Sequence, residues 1–167
     1  LRAFAAAKAA NPGVALSLSI AGEGKDRQAL LALAGELGIA DALHLPGHVT
    51  NLPDLLEQVD LFALSSDYEG LPAVVIEALA CGIAVVASRV GGLPDLVQPG
   101  INGLLVPAQD PPALADALFD ALARDWPAAE VSATTAPAAC LRCDAAVDFH
   151  HSIYNNSPRS KLDTCVG

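Results

Sequence analysis

Two carboxylates, Glu69 and Glu77, stand eight positions apart in the most informative stretch of the sequence, residues 65–82. Gly70 and Pro72 lie between them and prevent one continuous helix from carrying both side chains. We therefore expect Glu69 in the loop after a strand and Glu77 on the helix that follows. Carboxylates accept hydrogen bonds from neutral hydroxyl groups, which are the groups that a sugar or a ribose presents.

The turn at Gly70 adds a second chemical feature, because its backbone N–H groups can face the start of the following helix. Free N–H groups at a helix N-terminus bind anions. The chain carries 9 basic and 19 acidic residues and a net charge of −10, so its overall field opposes an anionic ligand. A diphosphate bound at this turn would depend on local backbone amides rather than on the charge of the whole chain.

Composition excludes several classes of function. With 167 residues, 53% of them hydrophobic, the chain fits one ordinary domain with a sizeable core. The acidic balance and scattered basic residues argue against nucleic-acid binding. No apolar run approaches the roughly 18 residues of a membrane-spanning helix. Residues 1–10 lack the features of a signal peptide, and their pattern is typical of the end of an amphipathic helix. The four cysteines form no disulfide framework, which favours a cytoplasmic setting.

Short apolar runs alternate with helical periods along residues 1–125. Strands are predicted at 15–21, 43–45, 61–64, 83–87 and 103–106, and helices at 26–37, 51–58, 72–81, 93–97 and 111–124. This order predicts an α/β fold, a doubly wound parallel sheet with right-handed crossovers and helices on both faces. Ligands bind at the carboxyl ends of such strands. The candidate site therefore comprises the loops at 22–25, 46–50, 65–72 and 88–92.

Residues 126–167 show no sustained period, and we expect a loop-rich or disordered tail after a domain at 1–125. Cys140, Cys143, the pair His150-His151 and Cys165 supply ligand types that zinc accepts. Their spacing matches no zinc pattern, so incidental cysteines in an unpatterned tail are the preferred interpretation. No metal site is predicted.

An ordered series of segments runs from Glu69-Gly70-Leu71-Pro72 to Glu77-Ala78-Leu79-Ala80-Cys81-Gly82 and continues with Val85-Val86-Ala87-Ser88 and Gly91-Gly92. This series resembles the signature of the family 4 retaining glycosyltransferases. The resemblance covers roughly residues 1–124, with further matching segments at 20–24, 45–49, 59–62 and 100–107. It implies a GT-B fold, which has two Rossmann-like lobes with the active site between them. The chain would be the C-terminal, nucleotide-sugar-binding lobe of such an enzyme.

The resemblance also implies roles for individual residues. Glu69 would contact the donor sugar and is the candidate catalytic residue, although it is not assigned as a nucleophile. Glu77 would hold the ribose hydroxyls, and the backbone amides of Gly70 and Leu71 would serve the sugar and diphosphate. The loop Gly47-His48-Val49 would lie near the base. The implied reaction transfers a sugar from a nucleoside diphosphate to an acceptor with retained configuration and without metal or cofactor, mainly by stabilising charge on the leaving diphosphate.

Two departures from the family pattern bear on activity. The Arg and Lys that clasp the diphosphate in the family would lie upstream of Leu1, as would the acceptor-binding lobe. We therefore expect an N-terminally truncated lobe that binds a donor weakly and transfers nothing alone. Any membrane contact would be made through the absent lobe, and the sequence leaves the oligomeric state open.

Simpler interpretations stand beside these roles. Glu69 and Glu77 could be ordinary solvated carboxylates, and His48 a loop histidine without a role. Gly22-Glu23-Gly24 resembles part of a dinucleotide fingerprint, but Arg27 occupies the place of its third small residue, which favours a structural turn.

For the whole chain, the alternatives are a stand-alone, non-catalytic nucleotide- or sugar-binding module and a lobe of a GT-B epimerase or phosphorylase. The spacing from Glu69 to Glu77 fits the epimerase and phosphorylase families less well. Whether a first lobe exists upstream in the natural gene would distinguish the module from the transferase.

Overall fold

The computed structural model describes residues 1–135 and the backbone of residues 162–166. In these residues strands and helices alternate along the chain. The strands are β1 (Leu16–Ala21), β2 (Leu43–Gly47), β3 (Leu61–Leu64), β4 (Val85–Ser88), β5 (Gly103–Val106) and β6 (Leu162–Val166). The helices are α1 (Arg2–Ala10), α2 (Arg27–Glu36), α3 (Leu52–Leu56), α4 (Ala73–Ala80), α5 (Leu93–Leu96), α6 (Pro111–Ala123) and α7 (Ala128–Ala133), with a 3-10 turn at Ala40–Ala42.

All strand pairs of the described sheet are parallel, in the order β2-β1-β6-β3-β4-β5. This is the order of a doubly wound sheet when β6 takes the position of the first strand. The backbone of β6 pairs with both neighbours, with Cys165 in register with Ser19 on β1 and Phe62 on β3. The predicted α/β architecture with a parallel sheet is confirmed.

Strand β3 shows why the central strands are continuously apolar. All four of its residues are buried, and they alternate between two hydrophobic clusters. Phe62 and Leu64 pack with α4 and α7 on one face of the sheet, whereas Leu61 and Ala63 pack with α1 and α6 on the other. In a strand covered on both faces, an apolar side chain at every position is buried and stabilises the fold, which is the pattern of a parallel sheet.

Several predicted boundaries differ from the structure. Helix α3 ends at Leu56 rather than Gln58, and Asn51 precedes it without a side-chain cap bond. Helix α4 begins at Ala73, because Pro72 has an extended backbone with φ −73° and ψ 111°. Pro72 therefore precedes the helix instead of lying in its first turn, although Gly82 follows the helix end as expected, with φ +73°.

The segment after residue 125 contains secondary structure that the sequence analysis does not predict. Trp126 donates from Nε1 to the carbonyl of Ala121 at 2.7 Å, and Val131 of α7 is fully buried in the core. A Cβ at Gly82 would lie 2.9 Å from the carbonyl oxygen of Ala128, so α7 packs closely on the end of α4. The prediction that β5 and α6 are the last elements is wrong, since α7 and β6 are too short to give a recognisable period.

The remaining tail residues considered for zinc, Cys140, Cys143, His150 and His151, lie outside the described residues, as does the side chain of Cys165. The division of the chain at residue 125 stays a prediction. Within the part of the chain that the structure describes, no helix combines the length and apolar character needed to cross a membrane.

Two helix starts offer a matched test of the local structure. Asp110 accepts a hydrogen bond from the backbone N–H of Ala113 at 3.0 Å and caps α6, whereas Asn51 makes no such bond at α3. We expect Asp110→Ala to lower the free energy of unfolding by about 1 kcal/mol and Asn51→Ala by a few tenths. Urea denaturation of both variants measures this difference, and equal losses would contradict the assigned cap.

Candidate functional site

The loops singled out from the sequence meet at one edge of the sheet, because the strands that precede them are parallel. Strand β1 ends at Ala21, β2 at Gly47, β3 at Leu64 and β4 at Ser88. The loop of residues 65–72 therefore lies beside the loop of residues 89–92, since β3 and β4 are neighbours.

The loop after β3 holds Glu69 in a defined position. The Ser66 hydroxyl donates to Oε1 of Glu69 at 2.6 Å, and both residues are half-buried. Their neighbours Tyr68 and Leu71 are 87% and 64% exposed. The carboxylate is thus anchored on the sheet edge while the side chains around it reach solvent, as a ligand-binding group would require.

The turn Gly91-Gly92 fixes the backbone of the same loop. The N–H of Gly92 donates to the carbonyl of Gly70 at 2.8 Å. Gly91 has φ +52°, and a Cβ at this position would overlap the carbonyl oxygen of Glu69. A Cβ at Gly92 would lie 2.9 Å from the carbonyl oxygen of Gly70. Both glycines are therefore needed for the close approach of the two loops.

Helix α4 begins directly after this loop, and no side chain caps its N-terminus. The N–H of Val75 donates to the carbonyl of Pro72 at 3.1 Å, whereas the N–H groups of Ala73 and Val74 have no backbone acceptor within the described residues. The helix dipole adds partial positive charge at this end. Glu77 lies on α4, as predicted, and its side chain is exposed. Within the described residues its carboxylate makes no hydrogen bond or ion pair, so it can accept from a ligand.

The loop Gly47-His48-Val49 belongs to a different part of the edge. The N–H of Gly22 donates to the carbonyl of Gly47 at 2.8 Å, and Gly47 has φ +80°. His48 is exposed and Val49 half-buried. Strand β2 stands three positions from β3, a separation of about 14 Å at the usual strand spacing. Only an extended ligand could contact this loop and Glu69 together.

The turn Gly22-Glu23-Gly24 and the start of α2 are bonded to the end of β2. The guanidinium of Arg27 donates to the carbonyl of Leu45 at 3.1 Å, which ties α2 to β2. This contact and the bond from Gly22 to Gly47 join the ends of two strands. Across residues 1–135, no three metal-ligating side chains form a group that could hold an ion.

Sequence reasoning missed the contributions of Ser66 and Gly91 to this site. Ser66 stands three positions before Glu69, a spacing at which a short polar side chain can bond within one turn. The pair Gly91-Gly92 was predicted to lie in a loop of the candidate site, but no contact with Glu69 was predicted. Its contact with Glu69 joins residues that are distant in the sequence.

The family model described as glycosyl transferases group 1 matches residues 1–124 of the chain. The chain belongs to this family. The match begins in α1 and continues through α6, so it includes every loop of the candidate site.

Relatives of this group 1 chain are considerably longer than the chain itself. It is 39% identical over 127 residues to the D-inositol 3-phosphate glycosyltransferase of Saccharomonospora viridis, a match that covers 71% of the chain and 30% of the relative. It is 33% identical over 160 residues to the putative colanic acid biosynthesis glycosyltransferase WcaL of Salmonella typhimurium, covering 91% of the chain and 38% of the relative. The chain thus spans about a third of the length of these relatives.

Solved structures place this group 1 chain among the GT-B glycosyltransferases. Anabaena Alr3699/HepE in complex with UDP-glucose superimposes with a TM-score of 0.70 at 26% identity, covering 90% of this chain and 42% of that one. The apo form of the lipopolysaccharide outer core galactosyltransferase WaaB gives a TM-score of 0.67 at 25% identity, covering 71% and 35%. The predicted Rossmann-like GT-B fold is therefore confirmed.

Proposed function

We propose that this chain is the donor-binding lobe of a family 4 retaining glycosyltransferase and corresponds to the C-terminal lobe of the GT-B fold. The observation that carries the proposal is the anchored carboxylate of Glu69 beside the uncapped N-terminus of α4. A carboxylate suits sugar hydroxyls, and an uncapped helix start suits a diphosphate. The HepE structure with UDP-glucose supports a nucleoside diphosphate sugar as the ligand.

In this proposal the donor lies along the carboxyl edge of the sheet. Glu69 accepts hydrogen bonds from the sugar hydroxyls, and the backbone amides of Gly70 and Leu71 face the sugar and diphosphate. Glu77, exposed on α4, receives the ribose hydroxyls. The base lies toward Gly47-His48-Val49, at a distance that suits an extended nucleotide sugar.

The same arrangement suits the chemistry of sugar transfer. As the bond from the anomeric carbon to the diphosphate breaks, negative charge grows on the leaving oxygen. N–H groups fixed at the start of α4 stabilise that charge without reorganisation. The acceptor hydroxyl then forms the new bond on the face from which the diphosphate departs, and its proton passes to the leaving diphosphate oxygen. Since the chain spans 30% of the first relative, we propose that it requires an acceptor-binding lobe for transfer.

Nucleotide binding tests the proposal on the chain as it stands. We expect UDP, GDP or ADP to cause saturable NMR shifts in residues 69–80, with an affinity about tenfold lower in Glu77→Ala because a charge-assisted bond to ribose is lost. Glu36→Ala, which removes an exposed glutamate near the end of α2, is the matched control and should bind as wild type does. A folded chain that shows no shifts with any of the three nucleotides would refute the proposal.

A further inference from the structure

We propose that Ser66 is a positioning residue that sets the orientation of the Glu69 carboxylate, and that it thereby controls affinity for the sugar of the donor separately from the nucleotide. The inference rests on the proposed function and extends it to a residue with no role assigned so far. It predicts a selective defect when the hydroxyl is removed: weaker binding of the nucleotide sugar with unchanged binding of the nucleoside diphosphate.

The hydrogen bond itself has the geometry of a strong, charge-assisted interaction. The distance from Ser66 Oγ to Glu69 Oε1 is 2.6 Å, within the range of O–H···O⁻ bonds. A serine hydroxyl has a single proton to donate, so this bond uses its donor capacity completely. The bond uses one lone pair of Oε1 and restrains the carboxylate, which leaves Oε2 and the second lone pair of Oε1 as acceptors for the donor sugar in the proposed function.

Because the backbone around Glu69 is already held in place, the bond from Ser66 determines the orientation of the Glu69 carboxylate. The Gly91-Gly92 turn fixes the backbone at Glu69 and Gly70, so the main chain of the loop is already held in place. The glutamate side chain still has several rotatable bonds, and its rotamer freedom is costly to lose on binding. Among the described residues, the Ser66 hydroxyl restrains that freedom through its hydrogen bond to the Glu69 carboxylate. Removing its hydroxyl would leave the backbone site intact and release only the carboxylate.

The residues flanking Ser66 do not share this role. Ser65 and Asp67 are exposed, and Tyr68 is 87% exposed. Ser132 on α7 lies outside the candidate site and also donates its hydroxyl, to the carbonyl of Ala129 at 3.2 Å, which makes Ser132→Ala the control. Thr at position 66 retains a hydroxyl, which makes Ser66→Thr the conservative rescue.

The test is a pair of NMR titrations of the full chain, one with UDP and one with UDP-glucose, repeated with the GDP and ADP pairs if uridine does not bind. For Ser66→Ala we expect affinity for the nucleotide sugar to fall about five- to tenfold, as for loss of one hydrogen bond, with affinity for the nucleoside diphosphate unchanged. Ser66→Thr and Ser132→Ala should stay within about twofold of wild type for both ligands. In a Glu69→Ala background, which removes the acceptor of the Ser66 hydroxyl, adding Ser66→Ala should produce little further loss.

Each other outcome has a definite meaning. If Ser66→Ala weakens both ligands equally, Ser66 supports the loop in general and the positioning role is overturned. If it weakens neither ligand while wild type binds both, the inference fails and the proposed function stands. If wild type binds none of the nucleotides or nucleotide sugars, the proposed function fails and the inference fails with it.

Discussion

Replacing Gly91 with alanine should lower the free energy of unfolding by about 3 kcal/mol and displace the loop that carries Glu69. Two effects act together at this position. The residue has φ +52°, where an L side chain is strained, and its new Cβ would overlap the backbone carbonyl of Glu69. The backbone oxygen cannot rotate away as a flexible side chain would, so one of the two loops must move.

Gly38→Ala is the control that separates the backbone strain of a positive φ from the steric overlap of a new Cβ. Gly38 also has a positive φ, +68°, but a Cβ there meets no atom within 4 Å. Its replacement should cost only the left-handed strain, about 1 kcal/mol. Urea denaturation gives both free energies, and NMR spectra should show shifted resonances for residues 69–72 in Gly91→Ala alone. Equal destabilisation by the two substitutions would mean that the loops do not approach as closely as described.

The second large effect is expected at Asn102, whose side chain is fully buried. Its Oδ1 accepts from the N–H of Gln98 at 2.7 Å, and its Nδ2 donates to the carbonyl of Leu96 at 3.0 Å and to Oγ1 of Thr134 at 2.8 Å. Asn102→Leu keeps a similar volume but removes every one of these bonds. We expect a loss of about 3 kcal/mol in the free energy of unfolding, because buried partners are left unsatisfied.

Thr134→Val is the control for this substitution. It removes the contact between Asn102 and the segment after α7 while leaving the bonds to Gln98 and Leu96 in place. The substitution also removes the bond from the Thr134 hydroxyl to the carbonyl of Val131 at 2.6 Å. About 2 kcal/mol should therefore be lost in this variant, roughly the net value of two hydrogen bonds. Thermal or urea unfolding measures both. If Asn102→Leu were no more destabilising than Thr134→Val, the buried amide would not organise the turn between α5 and β5.

The sequence predicted those parts of the fold that depend on local patterns. Strand β3 was predicted with its observed bounds, because a four-residue apolar run between polar residues can be recognised without knowledge of its neighbours. Glu69 was placed in a loop and Glu77 on a helix, since Gly70 and Pro72 between them forbid one helix. These predictions required only residue types and their order.

The parts that the sequence did not predict depend on contacts between distant residues. The bond from Ser66 to Glu69 arises from the conformation of a loop, which no period describes. The need for Gly91 appears only when β3 and β4 bring their loops together. Likewise, α7 is recognised by the fit of Ala128 against Gly82, not by its six residues alone.

The position of β6 has a consequence for how the chain folds. Strands β1 and β2 contribute to one apolar cluster, and strands β3, β4 and β5 contribute to two others. Strand β6 lies between these two halves of the sheet. Both of its partners precede it by about a hundred residues or more, so its pairings raise the contact order and carry a large loop-closure entropy. During synthesis the two halves emerge from the ribosome well before the strand between them. The edges of β1 and β3 that face each other therefore remain unpaired for that interval, and molecular chaperones would act on the chain at that stage.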